Sequence, residues 1–98
     1  PMPLFIKFVR RLRTSTENFM NTLLRLPAAA SAAGMGQSTV WLRIKNGLFP
    51  RAVKISARAV AWPADEIAAI NAARIAGKTD AEIRELVATL EQQRTAKA

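Results

Sequence analysis

The sequence contains no cysteine and no histidine, and each absence removes a class of function. Without cysteine the chain can form no disulfide framework and offers no thiolate to a metal or a substrate. Without histidine it has no imidazole ligand and no Ser-His or Cys-His pair for nucleophilic catalysis. Asp65 and Glu66 are adjacent on a predicted helix and therefore point apart. We predict that the chain is not an enzyme and needs no cofactor or metal.

Acidic residues and long apolar runs are also scarce. Seven Asp and Glu stand against fifteen Lys and Arg, a net charge of +8. Ten cationic residues and one acidic residue precede Pro63, a net +9, whereas five and six follow from Pro63 onward, a net −1. No apolar run approaches the roughly 18 residues that span a bilayer. The expected partner is a polyanion, since phosphate neutralisation supplies most non-specific nucleic-acid affinity.

Residues 34–50 carry the most informative pattern, the turn and second helix of a helix-turn-helix that leads into a basic β-hairpin. Gly34 ends an Ala-rich helix and lets the chain reverse. In a second helix over about residues 37–46, Val40 and Ile44 fall on one side. The other side carries polar, aromatic and cationic residues, which are Ser38, Trp41, Leu42 and Lys45. Such a side is suited to a DNA major groove.

The residues of this second helix have different expected roles. Trp41 either closes the core against the hairpin or lies on sugar and base edges. Leu42 meets a thymine methyl group or a neighbouring protein, and Arg43, at the flank, reaches a phosphate. Thr39 belongs to the first turn rather than to a base contact. The polar residues solvate an exposed face or contact DNA, and these are Gln37, Ser38 and Lys45.

A half-buried hairpin is predicted by alternation of large apolar with small or charged residues, the apolar ones being Val53, Ile55, Val60 and Trp62. Trp62 is assigned to the core. Arg58 at the tip inserts into a minor groove, holds a phosphate or is a solvated turn residue. Arg51 and Lys54 are expected to be positioning contacts with little sequence information. A short strand is predicted before the first helix, at residues 23–26.

Two further helices are predicted after the hairpin. The first opens at Pro63 and ends at Gly77. Thr79-Asp80-Ala81-Glu82 is a capping box that starts the second. The apolar stripe of this last helix packs within the chain or docks on another copy, and it consists of Ile83, Leu86, Val87 and Leu90. Residues 91–98 are expected to fray.

Residues 1–22 differ from the rest, because apolar residues at helical spacing alternate with cationic ones. This basic amphipathic pattern allows an arm on DNA phosphates, a surface that packs on another copy, or a weakly ordered tail. Binding to a membrane surface is a further alternative. The charge order is not that of a secretory signal.

Together these motifs resemble the AlpA-like family of small winged helix-turn-helix proteins, which is related to the excisionases of phages and mobile elements. The resemblance covers about residues 23–75. It rests on Leu24-Arg25-Leu26-Pro27, Ser38-Thr39-Val40-Trp41, Lys45-Asn46-Gly47-Leu48-Phe49-Pro50, and Val53-Lys54-Ile55 with Arg58-Ala59-Val60-Ala61-Trp62. It implies a mainly α fold with a small β-hairpin, a MerR- or excisionase-like winged helix-turn-helix followed by C-terminal helices.

The resemblance also implies which residues face DNA. By matching position these are Gln37, Ser38, Thr39, Trp41, Leu42, Lys45 and Arg58. Members of the family often carry a basic residue where Leu42 stands, and Arg43 partly replaces it here. The expected organisation is a basic extension over residues 1–22, a DNA-binding domain over 23–76, and a C-terminal helix over 77–98 as a candidate for self-association.

Such a protein is expected to be an excisionase, also called a recombination directionality factor. Several copies would bind adjacent repeats in double-stranded DNA, bend it and help a tyrosine recombinase excise a mobile element. The alternative is an AlpA-type transcriptional regulator on promoter DNA. A different class of hypothesis is a protein-interaction or membrane-surface module built on residues 1–22. The expected location is the bacterial cytoplasm, at the nucleoid.

Overall fold

The computed structural model describes residues 22–97, and in that part the chain forms three strands and four helices. In chain order they are β1 (Leu23–Leu24), α1 (Leu26–Ala33), α2 (Gln37–Lys45), β2 (Val53–Ser56), β3 (Ala59–Pro63), α3 (Ala64–Ile75) and α4 (Asp80–Lys97). This order confirms the predicted mainly α winged helix-turn-helix with C-terminal helices. The amphipathic segment predicted over residues 1–22 lies outside the described residues, apart from Thr22.

A tight turn joins α1 to α2. Gly34 adopts the left-handed conformation, with φ of +72°, which a residue with a Cβ reaches only at a cost in energy. The amides of Gly34 and Met35 donate to the carbonyl oxygens of Ser31 and Ala30, at 3.1 and 3.0 Å. These bonds satisfy the end of α1, and α2 begins at Gln37. The predicted helix-turn-helix is therefore present where the sequence places it.

The strands form one antiparallel sheet in the order β1-β3-β2. Leu24 lies opposite Trp62, so the short strand before α1 closes one side of the predicted hairpin. On the other side Val53 lies opposite Ala61, and a bulge between Lys54 and Ser56 leaves Ile55 as the extra residue. We call the β2–β3 hairpin, residues 53–63, the wing.

Trp62 is at the centre of the core and has no exposed surface. Its indole N–H donates to the carbonyl oxygen of Pro50 at 2.9 Å, which satisfies the only polar atom of the ring. Phe49 packs beside it, with 6.3 Å between the ring centroids. The inner sides of α2 and α3 belong to or pack on the same core, through Val40, Ile44, Ile67, Ile70 and Ala73. The assignment of Trp62 to the core is confirmed.

The apolar stripe of α4 packs into this same core. Ile83, Val87 and Leu90 are buried there, and Leu86 packs against it half-buried. The stripe thus serves packing within the chain, one of the two alternatives that its spacing allowed. Self-association stays a prediction, but the three buried side chains are not available to it in the folded chain.

The two ends of α4 differ in how well the sequence predicted them. The capping box is confirmed, since the Thr79 amide donates to Glu82 Oε1 at 2.9 Å and the Glu82 amide donates to Thr79 Oγ1 at 3.2 Å. The sequence predicted fraying from residue 91, whereas the structure continues the helix to Lys97. Its last turns are held by Glu91 and Arg94, whose contacts with other elements are described below.

Candidate DNA-binding surface

The outer side of α2 is exposed along its whole length. Trp41 and Leu42 retain 45% and 56% of their surface, and Ser38 and Lys45 are exposed one turn to either side. Positions i, i+3, i+4 and i+7 lie on one face of a helix, so these four residues form a continuous stripe. Val40, on the opposite side, has no exposed surface and attaches α2 to the core. The predicted division of α2 into an inner and an outer side is thus observed.

Trp41 is both packed on the core and exposed, so contact with DNA stays a prediction beside its packing role. Its ring is tilted by 57° against that of Trp62, with 5.5 Å between the centroids, which is a favourable aromatic contact. This contact anchors the ring to the sheet, yet nearly half of the side chain faces solvent. A preformed, partly exposed aromatic surface therefore lies between α2 and the wing.

The flanks of α2 hold the other predicted residues. Gln37 is exposed in the first turn, close to the helix N-terminus, and Thr39 is half-buried there. Arg43 is half-buried and lies away from the exposed stripe, where it lines a cavity of about 500 Å³ beside the ends of α1 and α3. The structure therefore separates Arg43 from Lys45, although both are cationic residues of the last turn.

The wing presents a second exposed cationic surface. Lys54, Ile55 and the two turn residues Ala57 and Arg58 are exposed, whereas Val53 and Val60 are half-buried toward the protein. The bulge makes Ile55, predicted as an inward residue, one of the large apolar side chains that face solvent. A bulge bends a strand and re-aims its side chains. Sequence alternation alone did not predict this reversal.

Arg51 lies at the base of the wing and is held by α4. Its guanidinium is mostly exposed and is 3.3 Å from Glu91 Oε1, and its amide donates to Glu91 Oε2 at 2.8 Å. A surface ion pair of this kind contributes about 0–1 kcal/mol, so it holds the exposed guanidinium only weakly. Arg51 therefore flanks the hairpin, as the sequence predicted, and it has a partner, Glu91, that the sequence did not indicate.

A buried ion pair between α3 and α4 was also missed. Glu66 has no exposed surface, and its two carboxylate oxygens accept hydrogen bonds from Arg94 Nε and Nη2 at 2.9 and 2.7 Å. The hydrogen bond with Glu66 raises the pKa of Arg94 above its ordinary value, so the guanidinium stays charged. The available signal was spacing, since Arg94 continues the buried face of Val87 and Leu90 and needs an acidic partner there.

The charges that α2 and the wing themselves carry are all positive. From Thr22 to Pro63 the sequence has six cationic residues and no acidic one, so α2 and the wing carry no carboxylate. The residues from 22 to 97 include no group of three acidic side chains that could hold a metal ion. Within the same part of the chain, no helix has the length and apolar character to cross a membrane. The arrangement favours binding of a polyanion along α2 and the wing.

Fold and surface define a small winged helix-turn-helix protein. Residues 22–75, more than half of the chain, match the family of the prophage CP4-57 regulatory protein AlpA. The chain therefore belongs to the AlpA family of DNA-binding regulatory proteins. The match covers the elements from β1 to α3, and α4 lies beyond it.

A phage protein is also similar to this chain. The uncharacterized protein ORF88 of Enterobacteria phage P4 is 38% identical over 55 residues, which are 56% of this chain and 62% of the relative. The chain thus spans less than two thirds of that relative's length. No solved structure matches the chain significantly.

Proposed function

We propose that the chain is an excisionase that binds double-stranded DNA with α2 in the major groove and the wing on the neighbouring groove. The observation that carries the proposal is the exposed stripe of Ser38, Trp41, Leu42 and Lys45 beside a wing tipped by Arg58. Membership of the AlpA family supports the proposal, and so do the charges of residues 22–63, which are all positive. The role is architectural, and the chain contributes no reacting group.

Different parts of this surface would have different tasks. Lys45 and the wing residues Lys54 and Arg58 position the protein through phosphates, and Trp41 and Leu42 provide apolar contact with sugars and thymine methyl groups. Bending a site of 20–30 base pairs costs about 1–6 kcal/mol, which several copies on adjacent repeats would offset by shared phosphate contacts. A tyrosine recombinase would then act on the bent site.

DNA binding is tested by Lys45→Ala and Arg58→Ala, each measured on a site found by footprinting the attachment and promoter regions of the element. Each variant should bind more weakly, and its negative slope of log affinity against log salt should become less steep by about 0.9, the value of one phosphate contact. Arg74→Ala is the control, because it removes the same charge from an ion pair with Asp80 away from this surface. Unchanged affinity of both test variants at low salt would refute the surface.

Excision is tested separately from binding. An assay of excision by the cognate recombinase should depend on the protein, and Arg58→Ala should lower the yield in proportion to its loss of affinity. The matched family is that of a regulatory protein, which makes transcriptional regulation the second candidate. A promoter reporter that responds while excision proceeds equally without the protein would favour that second candidate.

A further inference from the structure

Helix α4 contacts the backbone at both ends of the segment that joins α2 to the wing. Arg84 Nε donates to the carbonyl oxygen of Asn46, the C-cap residue of α2, at 2.9 Å. Five residues later, the Arg51 amide donates to Glu91 Oε2 at 2.8 Å, and the Arg51 carbonyl oxygen accepts from Arg94 Nη2 at 2.6 Å. Three side chains of one helix therefore hold the end of α2 and the base of the wing at a fixed spacing.

The segment between these contacts has little freedom of its own. Leu48, Phe49 and Pro50 are buried, so this connection is part of the core. Gly47 has φ of +77°, and a Cβ added there would meet the Arg84 side chain at 3.6 Å. The arginine stem thus packs over the turn while its guanidinium bonds to the preceding carbonyl. Any change in the distance between Asn46 and Arg51 would have to break these contacts.

Arg94 is itself held in place by a buried carboxylate of α3. Its guanidinium makes both hydrogen bonds to the fully buried Glu66, and one of its nitrogens, Nη2, also donates to Arg51. Withdrawal of Arg94 would leave a carboxylate buried without a partner, which is strongly unfavourable. The contact with the base of the wing is therefore coupled to a rigid ion pair between α3 and α4.

We infer that Arg84, Glu91 and Arg94, with Glu66 behind them, are positioning residues that set the distance and angle between α2 and the wing. We call these four residues the brace. The inference rests on the proposed function, in which α2 and the wing bind DNA at the same time. Three of the four lie on α4, beyond residues 22–75 that match the family, so the brace extends the matched domain.

The physical reason is preorganisation. Two DNA-contacting elements bind at once only if their spacing matches that of the grooves, and a loose connection must be ordered at the moment of binding. If the unbraced wing has the binding-competent position about a tenth of the time, the apparent affinity falls about tenfold. No contact with DNA need be lost from the surface itself.

The test is the double variant Arg84→Ala/Glu91→Ala. It leaves the buried Glu66–Arg94 pair in place and leaves the net charge unchanged. Affinity for the footprinted site should fall about tenfold. The control, Arg74→Ala/Asp80→Ala, also removes one cationic and one acidic side chain, here an ion pair between α3 and α4, and should keep the affinity of the parent. Equal affinity of the test variant and the parent would overturn the inference.

Two further measurements separate positioning from a loss of stability. Combined with the double variant, Arg58→Ala should cost less affinity than it does alone, because the wing is already out of place. A full, additive cost would show that the brace acts only on stability.

Glu91→Ala alone raises the net charge by one, so electrostatics predicts tighter binding and the brace predicts weaker binding. Tighter binding would overturn the inference, and this single change at the half-buried Glu91 serves if the double variant unfolds.

The outcomes also distinguish this inference from the proposed function. If Lys45→Ala and Arg58→Ala bind DNA as the parent does, the DNA-binding surface itself is wrong. If both weaken binding while the brace variants do not, the surface stands and the brace fails.

Discussion

At the scale of single residues, the two tryptophans show how neighbouring positions divide between stability and binding. Trp62 is fully buried with its N–H satisfied, whereas Trp41 rests on it and leaves almost half of its surface in solvent. Removing a buried aromatic side chain leaves a cavity that the surrounding core cannot fill. Removing a half-exposed one leaves open surface.

We therefore expect Trp62→Ala to lower the free energy of unfolding by about 3–5 kcal/mol and Trp41→Ala by less than about 2 kcal/mol. Trp41→Ala should instead weaken DNA binding several-fold, because its exposed ring belongs to the α2 surface. Urea unfolding and a DNA titration measure the two effects. A Trp41→Ala protein as unstable as Trp62→Ala, with unchanged affinity once folded, would assign Trp41 to the core alone.

At the scale of elements, the turn between α1 and α2 depends on one glycine. Gly34 has φ of +72° and no atom within 4 Å of an added Cβ, so a substitution meets a backbone cost and no steric clash. Gly34→Ala should lower the free energy of unfolding by about 1 kcal/mol. Gly36→Ser is the control, because Gly36 has φ of −72° at the N-cap of α2, where serine is favoured. Equal destabilisation by both would contradict this account.

The capping box makes the start of α4 sensitive to acid. The pKa of Glu82 lies below its ordinary value of 4.5, first because of the hydrogen bond from the Thr79 amide and then that with the Thr79 hydroxyl. A lowered pKa means that the folded chain binds the proton more weakly than the unfolded chain does. The stabilisation is complete above the unfolded pKa and is lost as pH falls through the folded one.

Glu82→Gln should therefore show a smaller fall in thermal midpoint than the parent between about pH 6 and about pH 3. Glu85→Gln, on the exposed side of the same helix, is the matched control and should follow the parent. Parallel curves for Glu82→Gln and the parent would mean that the capping carboxylate contributes nothing to the acid sensitivity.

At the scale of the whole molecule, charge is distributed asymmetrically along the chain. All acidic residues between positions 22 and 97 lie in α3 and α4, whereas α2 and the wing carry cationic side chains and no carboxylate. DNA affinity should fall steeply as the salt concentration rises. Each phosphate contacted should make the slope of log affinity against log salt more negative by about 0.9.

This salt dependence tests the segment before residue 22, which contains four cationic residues. If that segment is an arm on DNA, the full chain should have a slope steeper by about 0.9 per added phosphate than a chain that starts at Thr22. Equal slopes would exclude the arm. Co-sedimentation of both chains with anionic vesicles tests the membrane-surface alternative, which predicts that only the full chain pellets.

Much of the fold followed from local patterns. The glycine turn at Gly34, the spacing of Val40 and Ile44, the alternation around Trp62 and the capping box at Thr79 all depend on neighbours within a few residues, and each is present in the structure. The outer stripe of α2 was predictable for the same reason. None of these features requires knowledge of which elements meet.

Contacts between distant elements were not predictable in this way. The bulge that turns Ile55 outward, the end of α4 and the joining of Glu66 to Arg94 depend on which surfaces pack together. Spacing places Arg94 on the inner face of α4, but nothing local identifies Glu66, 28 residues away, as its partner.

The amino-acid order by itself determined the helices, the hairpin, the cationic half and the outward side of α2, because hydrophobic periodicity, turn chemistry and charge act over short separations. Only the tertiary structure decided that α4 packs its apolar stripe within the chain and bonds to both ends of the α2–wing connection. Those contacts join residues 38 to 43 positions apart, and their geometry exists only once the core around Trp62 has brought the elements together.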